Sequence, residues 1–326
     1  MTTSAPRLAT LAVALGAVLV SCADGSDSGP AAPAPSRTTA AAASPQPGKP
    51  MEETEKAEKA EQAEEKEKAD TAQTAKKGPP TMAPGPGGLT PVFERALGPA
   101  ARSGKTVALT FDADMTADQG PRAAQGERFD NPALIDALRR LKVPSTVFMT
   151  GRWAEEYPDQ TKAIGGDPLF EIANHSYSHH AFASPCYGLP AVDRSEMRAD
   201  VDRAFAAFQK AGARNVVPYF RFPGGCYDDQ ALRAIAPAEV TAVQWDVVSG
   251  DAFATDADAV AEQVLAGVRP GSLVVMHCTR SAAPVTEQAI RRIVPELRRR
   301  GYRFVKVSEL MRDEGAQTRQ AAKAAP

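Results

Sequence analysis

The sequence predicts an α/β fold, a distorted (β/α)7 barrel of parallel strands that is preceded by a tether. Two observations favour this fold: beyond Gly104, apolar β-rich runs alternate with helical patterns, and seven such runs fall within about 210 residues. Alternation of strand and helix implies parallel strands with covering helices. Seven strands suit a barrel slightly smaller than the common eight-stranded form.

The strand candidates are short runs rich in β-branched and aromatic residues, bounded by turn residues. In chain order they are TVALTFD, STVFMT, LFEIANH, VVPYFRF, VTAVQWD, SLVVMH and YRFVKV. Helical patterns are best marked at residues 131–141, 193–211, 256–267 and 285–300. We expect the folded domain to occupy residues 104–312 and a disordered tail to follow at 313–326.

The first residues have the layout of a signal peptide. An Arg precedes an apolar run from Leu8 to Val20, which is too short to span a membrane comfortably. The letters LVSC, which end at Cys22, resemble a bacterial lipobox. We therefore expect residues 1–21 to be a lipoprotein signal peptide and Cys22 to anchor the protein at the extracytoplasmic face of the cell membrane. An ordinary secretory peptide, which would give a secreted protein, is the alternative.

The composition of residues 22–103 predicts a tether. Residues 23–50 are mainly Pro, Ala, Ser and Gly with few large apolar side chains, so burial cannot offset the entropy of ordering them. Residues 52–77 alternate acidic and basic side chains at helical spacing and have no apolar face. This charged segment favours a solvated, semi-rigid spacer. A partner site is the alternative for the same segment.

The net charge excludes one class of partner. The formal net charge is −2, so the chain has no excess of basic residues that would bind nucleic acid or anionic lipid. Membrane contact would therefore come through the lipid anchor, and we expect a monomer that does not bind nucleic acid.

Unusual polar residues follow the predicted strands. In parallel barrels the rim at the carboxyl ends of the strands carries the chemistry. The residues at or just past these ends are Asp112, Asp114, His175, Arg221, Asp246 and His277. The sequence therefore predicts a functional site at this rim. Trp153 and Trp245 are expected in the core rather than as sugar platforms, as is usual for large aromatic side chains.

Three of the four histidines lie in the stretch EIANHSYSHH. His175 and His179 are four apart, so on one helical turn both would project from one face and could hold one ion. His180 lies about 100° round that turn and is a bystander. Together with Asp112 or Asp114, two His and one carboxylate would leave open coordination positions, as in a catalytic divalent-metal site. A structural His pair, with the acids capping a helix or turn, is the alternative.

Five segments in order make residues 104–312 resemble the polysaccharide deacetylases, carbohydrate esterase family four, which contain the nodulation-type deacetylase domain. The segments are TFDAD, HSYSH, RFPGG, QWDVVSGDA and LVVMH. TFDAD is similar to the family's TFDD, whose first Asp is the general base and whose other acid binds metal. An Ala intervenes here, so the resemblance implies Asp112 as base and Asp114 as ligand. HSYSH is similar to the family's metal pair and implies His175 and His179 as the other ligands.

The next segment, RFPGG, is similar to the family's Arg-x-Pro segment. The resemblance implies that Arg221 orients Asp112, and that Pro223 and the Gly224 amide line the acetyl pocket and the oxyanion site. It also implies that Ser176 supports the histidine loop by a hydrogen bond.

The last two segments imply a general acid and its partner. In QWDVVSGDA, Asp251 aligns with the acid that tunes the catalytic His, and LVVMH supplies His277 as the general acid. Ala252 stands where the family has Trp, and Phe253 is our candidate to fill that wall of the acetyl pocket. A core imidazole with one hydrogen bond is the alternative for His277.

The resemblance implies a metal-dependent hydrolase that removes acetyl groups from N-acetylated cell-wall or related polysaccharide, peptidoglycan or chitin-like, and releases acetate. The implied cofactor is a divalent metal, zinc, with cobalt or another divalent ion as an alternative. The rival functions are an O-acetyl esterase on acetylated xylan or another glycan, a hydrolase of a small amide, and an inactive barrel that only binds glycans.

With Cys22 lipidated, an odd number of cysteines remains in an oxidising compartment. Cys186, Cys226 and Cys278 all follow motif residues on the same rim, which favours one disulfide there. We favour Cys186 with Cys226, although sequence alone does not fix the connectivity. Unpaired buried thiols are the alternative.

Overall fold

A computed structural model describes residues 78–312. The signal peptide, Cys22, the charged spacer and the tail at 313–326 lie outside the described residues, and our expectations for them stay predictions. Among residues 78–312, none of the helices combines the length and apolar character needed to cross a membrane.

The centre of the fold is a curled, all-parallel sheet that forms a distorted half-barrel. Its strands are β1 (Val92–Phe93), β2 (Thr106–Ala113), β3 (Ser145–Met149), β4 (Phe170–Asn174), β5 (Val216–Phe220), β6 (Thr241–Val243), β7 (Val247–Val248), β8 (Ser272–His277) and β9 (Arg303–Phe304). The order across the sheet is β1-β6-β5-β4-β3-β2-β8-β7, and β9 pairs with the beginning of β2. All seven predicted strands are present, and the predicted fold class is confirmed.

Helices cover the outside of this sheet. They are α1 (Pro99–Gly104), α2 (Gly120–Ala124), α3 (Pro132–Arg140), α4 (Gly151–Glu156), α5 (Pro158–Gly166), α6 (Met197–Lys210), α7 (Asp229–Ile235), α8 (Ala257–Gly267) and α9 (Thr286–Arg299). The four helices predicted from sequence correspond to α3, α6, α8 and α9 and are confirmed. Side chains of Asn131, Thr150 and Asp256 accept hydrogen bonds from the first turns of α3, α4 and α8, which fixes where these helices begin.

Strand β2 shows how the two faces of the sheet are filled. All eight of its residues are buried, as expected for a parallel strand covered on both sides. Leu109 and Phe111 pack outward in one cluster with Leu138 of α3 and Ile293 of α9, whereas Ala108 belongs to the cluster inside the barrel. Burial of one large apolar side chain stabilises the fold by about 1.5–3 kcal/mol. The same alternation turns Asp112 toward the interior, because residues two apart share a face.

The folded domain begins earlier than the predicted boundary at residue 104. Val92 of β1 pairs with Ala242 of β6, and Phe93 is 4% exposed. The expected tether at 22–103 is therefore wrong for its described part. No sequence pattern marks this strand, because β1 has only two residues, too few to show a period, and Pro and Gly surround it.

The segment that leads into β1 also contacts the barrel, and we call residues 80–90 the amino-terminal strap. The Tyr219 hydroxyl donates to the carbonyl of Pro80 at 2.9 Å. The backbone N–H of Met82 donates to the hydroxyl of Thr241, the first residue of β6, at 3.0 Å. The strap thus contacts the barrel where Tyr219 of β5 and Thr241 of β6 are register partners.

Candidate active site

The carboxyl ends of β2, β4, β5 and β8 bring together the polar residues singled out from the sequence. Asp112 of β2 and His277 of β8 are register partners on neighbouring strands. His175 directly follows β4, and Arg221 directly follows β5. The parallel register therefore places four chemically different side chains at one edge of the sheet.

Asp114, His175 and His179 form a cluster with the geometry of a metal site. Each offers one ligand atom, and these three atoms lie within 4.8 Å of one another. The Asp114 carboxylate oxygen Oδ1 is 3.3 Å from Nε2 of His175 and 3.6 Å from Nε2 of His179. The extra Ala113 does not move Asp114 away from the histidines, because Asp112 and Asp114 share one face of the chain.

The two histidines do not sit on a helical turn, so that expectation was wrong. Residues 175–180 form a loop in which Ser176 and His179 have left-handed backbone angles, φ 68° and φ 57°, which a right-handed helix excludes. The Ser176 hydroxyl accepts from the backbone N–H of His179 at 2.9 Å, which confirms its supporting role, and Asn174 accepts from the N–H of Ser176 at 2.8 Å. These bonds hold the loop in a shape that points both imidazoles toward Asp114.

The protonation of the cluster fits a divalent cation. Nδ1 of His175 lies 2.9 Å from the carbonyl of Arg221, so Nδ1 carries the proton and Nε2 presents a lone pair. Burial lowers the pKa of His179 to about 4, which keeps this imidazole neutral at pH 7. Burial alone would raise the pKa of Asp114, but the neighbouring imidazoles lower it overall, so the carboxylate is ionised.

An unpaired oxygen tests whether these residues suit a metal. Oδ1 of Asp114 is buried and has no hydrogen-bond partner among residues 78–312, although it faces two imidazole nitrogens. Burial would lower the pKa of His175, but Asp112 and Asp114 raise it overall, so these converging donor atoms call for a proton or a cation between them. Two His nitrogens and one carboxylate are ligands that Zn²⁺ accepts, with further positions left open. The residues present therefore fit a divalent metal.

Two hydroxyl groups that no sequence pattern marks hold the segment around Asp114 in place. The Thr279 hydroxyl accepts from the backbone N–H of Asp114 at 2.8 Å, and the Thr150 hydroxyl accepts from the N–H of Met115 at 3.1 Å. Neither Thr belongs to a distinctive motif, so only the pairing of β2 with its neighbours reveals their role.

Arg221 and Asp112 form a buried ion pair beside this cluster. The guanidinium NH1 lies 2.6 Å from the Asp112 carboxylate, and Arg221 is 0% exposed. Burial lowers the pKa of Arg221, but the charge of Asp112 opposes this, and a guanidinium remains charged in proteins. Backbone carbonyls of Val243 and Gln244 accept its other N–H groups, and its plane lies 3.8 Å from the Phe148 ring. Arg221 therefore holds Asp112 in one orientation.

His277 and Asp251 form a second coupled pair. Nδ1 of His277 lies 2.7 Å from Oδ1 of Asp251, and the His277 backbone N–H donates to Oδ2 at 2.7 Å. Hydroxyls of Ser249 and Thr286, which the sequence did not single out, donate to the same carboxylate. Burial would lower the pKa of His277, but Asp251 outweighs it and raises the pKa to about 10. Nε2 of His277 lies 3.9 Å from Oδ2 of Asp114, so this ring faces the metal-type cluster.

The Pro223–Gly225 turn follows Arg221 and carries a disulfide at its end. Gly224 is exposed and has φ 63°, a conformation that favours glycine. Cys186 and Cys226 are joined, with their Cα atoms 5.9 Å apart, so the favoured pairing is confirmed. Cys278 is a buried free thiol.

Two expectations for nearby residues are wrong. Asp246 accepts hydrogen bonds from the hydroxyl of Ser272 and the N–H of Leu273, at the amino end of β8, so it does not join the rim. Phe253 is 83% exposed and fills no wall beside Ala252. Its left-handed backbone, φ 60°, turns this ring into solvent.

The tryptophans behave as expected. Trp153 is fully buried and donates its ring N–H to the carbonyl of Phe129 at 2.8 Å. Trp245 is partly buried against the interior cluster and lies 5.4 Å from the Arg221 guanidinium carbon.

Fold and site together define a class, a parallel α/β barrel with a candidate divalent-metal centre at its strand ends. Residues 100–243 match the family model described as polysaccharide deacetylase. The chain is 29% identical over 198 residues to a chitooligosaccharide deacetylase of Sinorhizobium fredii, which covers 58% of this chain and 86% of that relative. It is 28% identical over 210 residues to a peptidoglycan-N-acetylglucosamine deacetylase of Bacillus cereus, covering 64% of this chain and 89% of that relative.

A solved structure agrees with these relatives. It is a peptidoglycan N-acetylglucosamine deacetylase in complex with 4-naphthalen-1-yl-N-oxidanyl-benzamide, with a TM-score of 0.56 and 26% identity, and the match covers 68% of this chain and 92% of that one. The folded part of the chain is therefore similar to the polysaccharide deacetylases, carbohydrate esterase family four.

Proposed function

We propose that the protein is a metal-dependent hydrolase that removes acetyl groups from N-acetylated cell-wall or related polysaccharide and releases acetate. One observation carries the proposal: a held carboxylate, a three-ligand metal-type cluster and a protonated imidazole face one another within a single chain. A binding module has no physical need for all three groups. Because one chain completes the site, the protein can act as a monomer.

The ion would be held by Asp114, His175 and His179, and we favour zinc because two imidazoles and a carboxylate are typical of its catalytic sites. Cobalt and other divalent ions tolerate the same ligands. When bound, the ion supplies polarisation of the substrate carbonyl and makes an adjacent water more acidic.

Asp112 is the candidate general base. An amide is a poor electrophile, so its hydrolysis needs a water that loses a proton as it attacks the carbonyl carbon. Asp112 accepts that proton, and Arg221, 2.6 Å away, holds the carboxylate in one orientation. A guanidinium that also bonds two backbone carbonyls cannot follow the carboxylate into solvent, so the base stays at the rim.

The reaction also needs a donor that stabilises the negative oxygen and an acid that protonates the leaving amine, and both have candidates. As the carbonyl oxygen gains negative charge, the backbone N–H of Gly224, in the exposed turn after Pro223, can donate to it. The carbon–nitrogen bond then breaks, and the amine must gain a proton to leave. His277, kept protonated by Asp251, supplies it.

The substrate class is supported by the relatives. Those described above deacetylate, by their names, chitooligosaccharides and the N-acetylglucosamine of peptidoglycan, and the matches span more than half of this chain. Both substrates contain an N-acetylated pyranose. We therefore propose a peptidoglycan or chitin-like glycan as the substrate, and we propose that the lipid anchor at Cys22 holds the enzyme at the extracytoplasmic face of the membrane.

The decisive experiment is acetate release by protein stripped of metal and then reloaded with Zn²⁺ or Co²⁺. Peptidoglycan, chitin oligomers and acetylated xylan are compared, and metal content is measured on each sample. Asp112→Asn serves as the inactive control, because it removes the base and leaves the three ligands.

We expect acetate from the N-acetylated glycans only after reloading. Release from acetylated xylan alone would replace the proposal with an O-acetyl esterase. Binding of glycan without any metal-dependent release would mean that the barrel is a binding module.

A further inference from the structure

The loop from Ala181 to Ala191 lies beside the candidate oxyanion turn and is held at both ends. Ala181 and Ala191 form a parallel β-bridge, and the N–H of Val192 donates to the carbonyl of Ala181 at 3.0 Å. At the tip, the N–H of Leu189 donates to the carbonyl of Cys186 at 2.8 Å. The loop is therefore a closed, ordered structure, although it contains no helix.

The disulfide fastens the tip of this loop to the turn that carries Gly224. A Cβ atom placed on Gly224 would lie 2.7 Å from the Cys186 sulfur and 3.3 Å from ring atom Cδ2 of Tyr187. The Tyr187 ring is thus in direct contact with the segment that we assign to the acetyl pocket. A glycan whose acetyl group reaches Gly224 would therefore lie close to this ring.

Tyr187 is exposed in a way that the fold does not explain. It is 89% exposed, the highest value among the exposed large apolar and aromatic side chains of residues 78–312. Its backbone is left-handed, with φ 47°, a conformation that is uncommon and unfavourable for a bulky residue. The ring gains little from packing, so what holds it there is the disulfide and the turn, not burial.

We propose that Tyr187 is a specificity-determining residue that stacks on a pyranose ring of the glycan next to the ring that is deacetylated. The apolar C–H face of a sugar suits an exposed aromatic face, and the phenol hydroxyl can bond a sugar hydroxyl. This inference rests on the proposed function, because the second ring is positioned only when the acetyl group occupies the site beside Gly224.

The proposal predicts a dependence on substrate length. A long chitin oligomer can reach Tyr187, whereas a small activated acetyl ester cannot. In Tyr187→Ala, we expect the KM for a chitin tetramer to rise about three- to tenfold, the range of one aromatic contact, with kcat nearly unchanged. Hydrolysis of 4-nitrophenyl acetate should stay at the parent rate, and Tyr187→Phe should keep most of the affinity for the tetramer.

Controls separate this role from a structural one. Met82→Ala removes another exposed apolar side chain, 41% exposed, in the amino-terminal strap, and should change neither substrate's kinetics. Equal losses on tetramer and ester in Tyr187→Ala would show that the ring only supports the Gly224 turn and would overturn the proposal. An unchanged KM for the tetramer would overturn it as well.

A binding measurement keeps the test independent of turnover. Calorimetric titration of the chitin tetramer into Asp112→Asn is compared with titration into Asp112→Asn combined with Tyr187→Ala. Weaker binding by the double variant supports the stacking role even if the parent enzyme releases no acetate, an outcome that would refute only the proposed function. Equal binding by both proteins refutes the stacking role and leaves the proposed function standing.

Discussion

Replacing Asp251 with Asn is expected to move the alkaline limb of the pH–rate profile to lower pH. The buried Asp251 carboxylate contacts Nδ1 and the backbone N–H of His277, each at 2.7 Å. Burial opposes the charge on His277, but Asp251, followed by Asp114 and Asp112, raises its pKa from 6.5 to about 10. That rise corresponds to about 5 kcal/mol in favour of the imidazolium.

The sign follows from the role of a general acid. A general acid works only while it is protonated, so activity falls as the pH rises through its pKa. Asn keeps an oxygen that can accept from Nδ1, which holds the ring in place, but it removes one opposite charge at contact distance. Such a charge shifts a pKa by about 1–3. We therefore expect the alkaline limb to move down by about 1–3 pH units.

The assay is kcat/KM for acetate release from a chitin oligomer between about pH 5 and 11, where free-enzyme pKa values determine the profile. Metal content is matched between samples. Ser249→Ala is the control, because its hydroxyl donates to the same carboxylate at 2.9 Å but carries no charge, so the limb should move much less. An alkaline limb that stays in place in Asp251→Asn would refute the reasoning that Asp251 keeps His277 protonated for its role.

Three further predictions concern the candidate active site and the lipid anchor at Cys22. Asp114→Ala should lose most of the bound metal, whereas Asp112→Asn should keep it and lose turnover; elemental analysis with the reverse result would mean that the two acids have exchanged roles. His277→Ala should slow N-deacetylation about 10²- to 10⁴-fold at matched metal content and slow an acetyl ester less, because an alcohol leaves with less help than an amine; equal losses would exclude His277 as the acid. Cys22→Ala should shift the protein out of the membrane fraction and abolish metabolic lipid labelling, and persistent labelling would contradict the lipobox.

Much of the fold could be predicted because parallel strands that are buried on both faces are continuous apolar runs, and β2 and β8 are clear examples. β1 and β7 were missed because two residues cannot show a period. Asp112, Asp114, His175, Arg221 and His277 could be placed at one edge because each lies at or just past the carboxyl end of a strand.

Other parts of the site depend on contacts between distant segments, and no local pattern marks them. The hydroxyl of Thr279 reaches Asp114 across 165 positions of the sequence, and Thr286 reaches Asp251 across 35. The spacing of the two histidines suggested a helix, but the left-handed angles at Ser176 and His179 are imposed by hydrogen bonds within the loop.

The amino-terminal strap ties the chain before β1 to two neighbouring strands. Its bonds to Tyr219 of β5 and Thr241 of β6, which are register partners, hold residues 80–82 against the barrel. The chain that precedes the strap therefore joins the domain at a fixed point. With the lipid anchor that we propose at Cys22, the length of residues 22–77 would set how far from the membrane the domain can reach glycan.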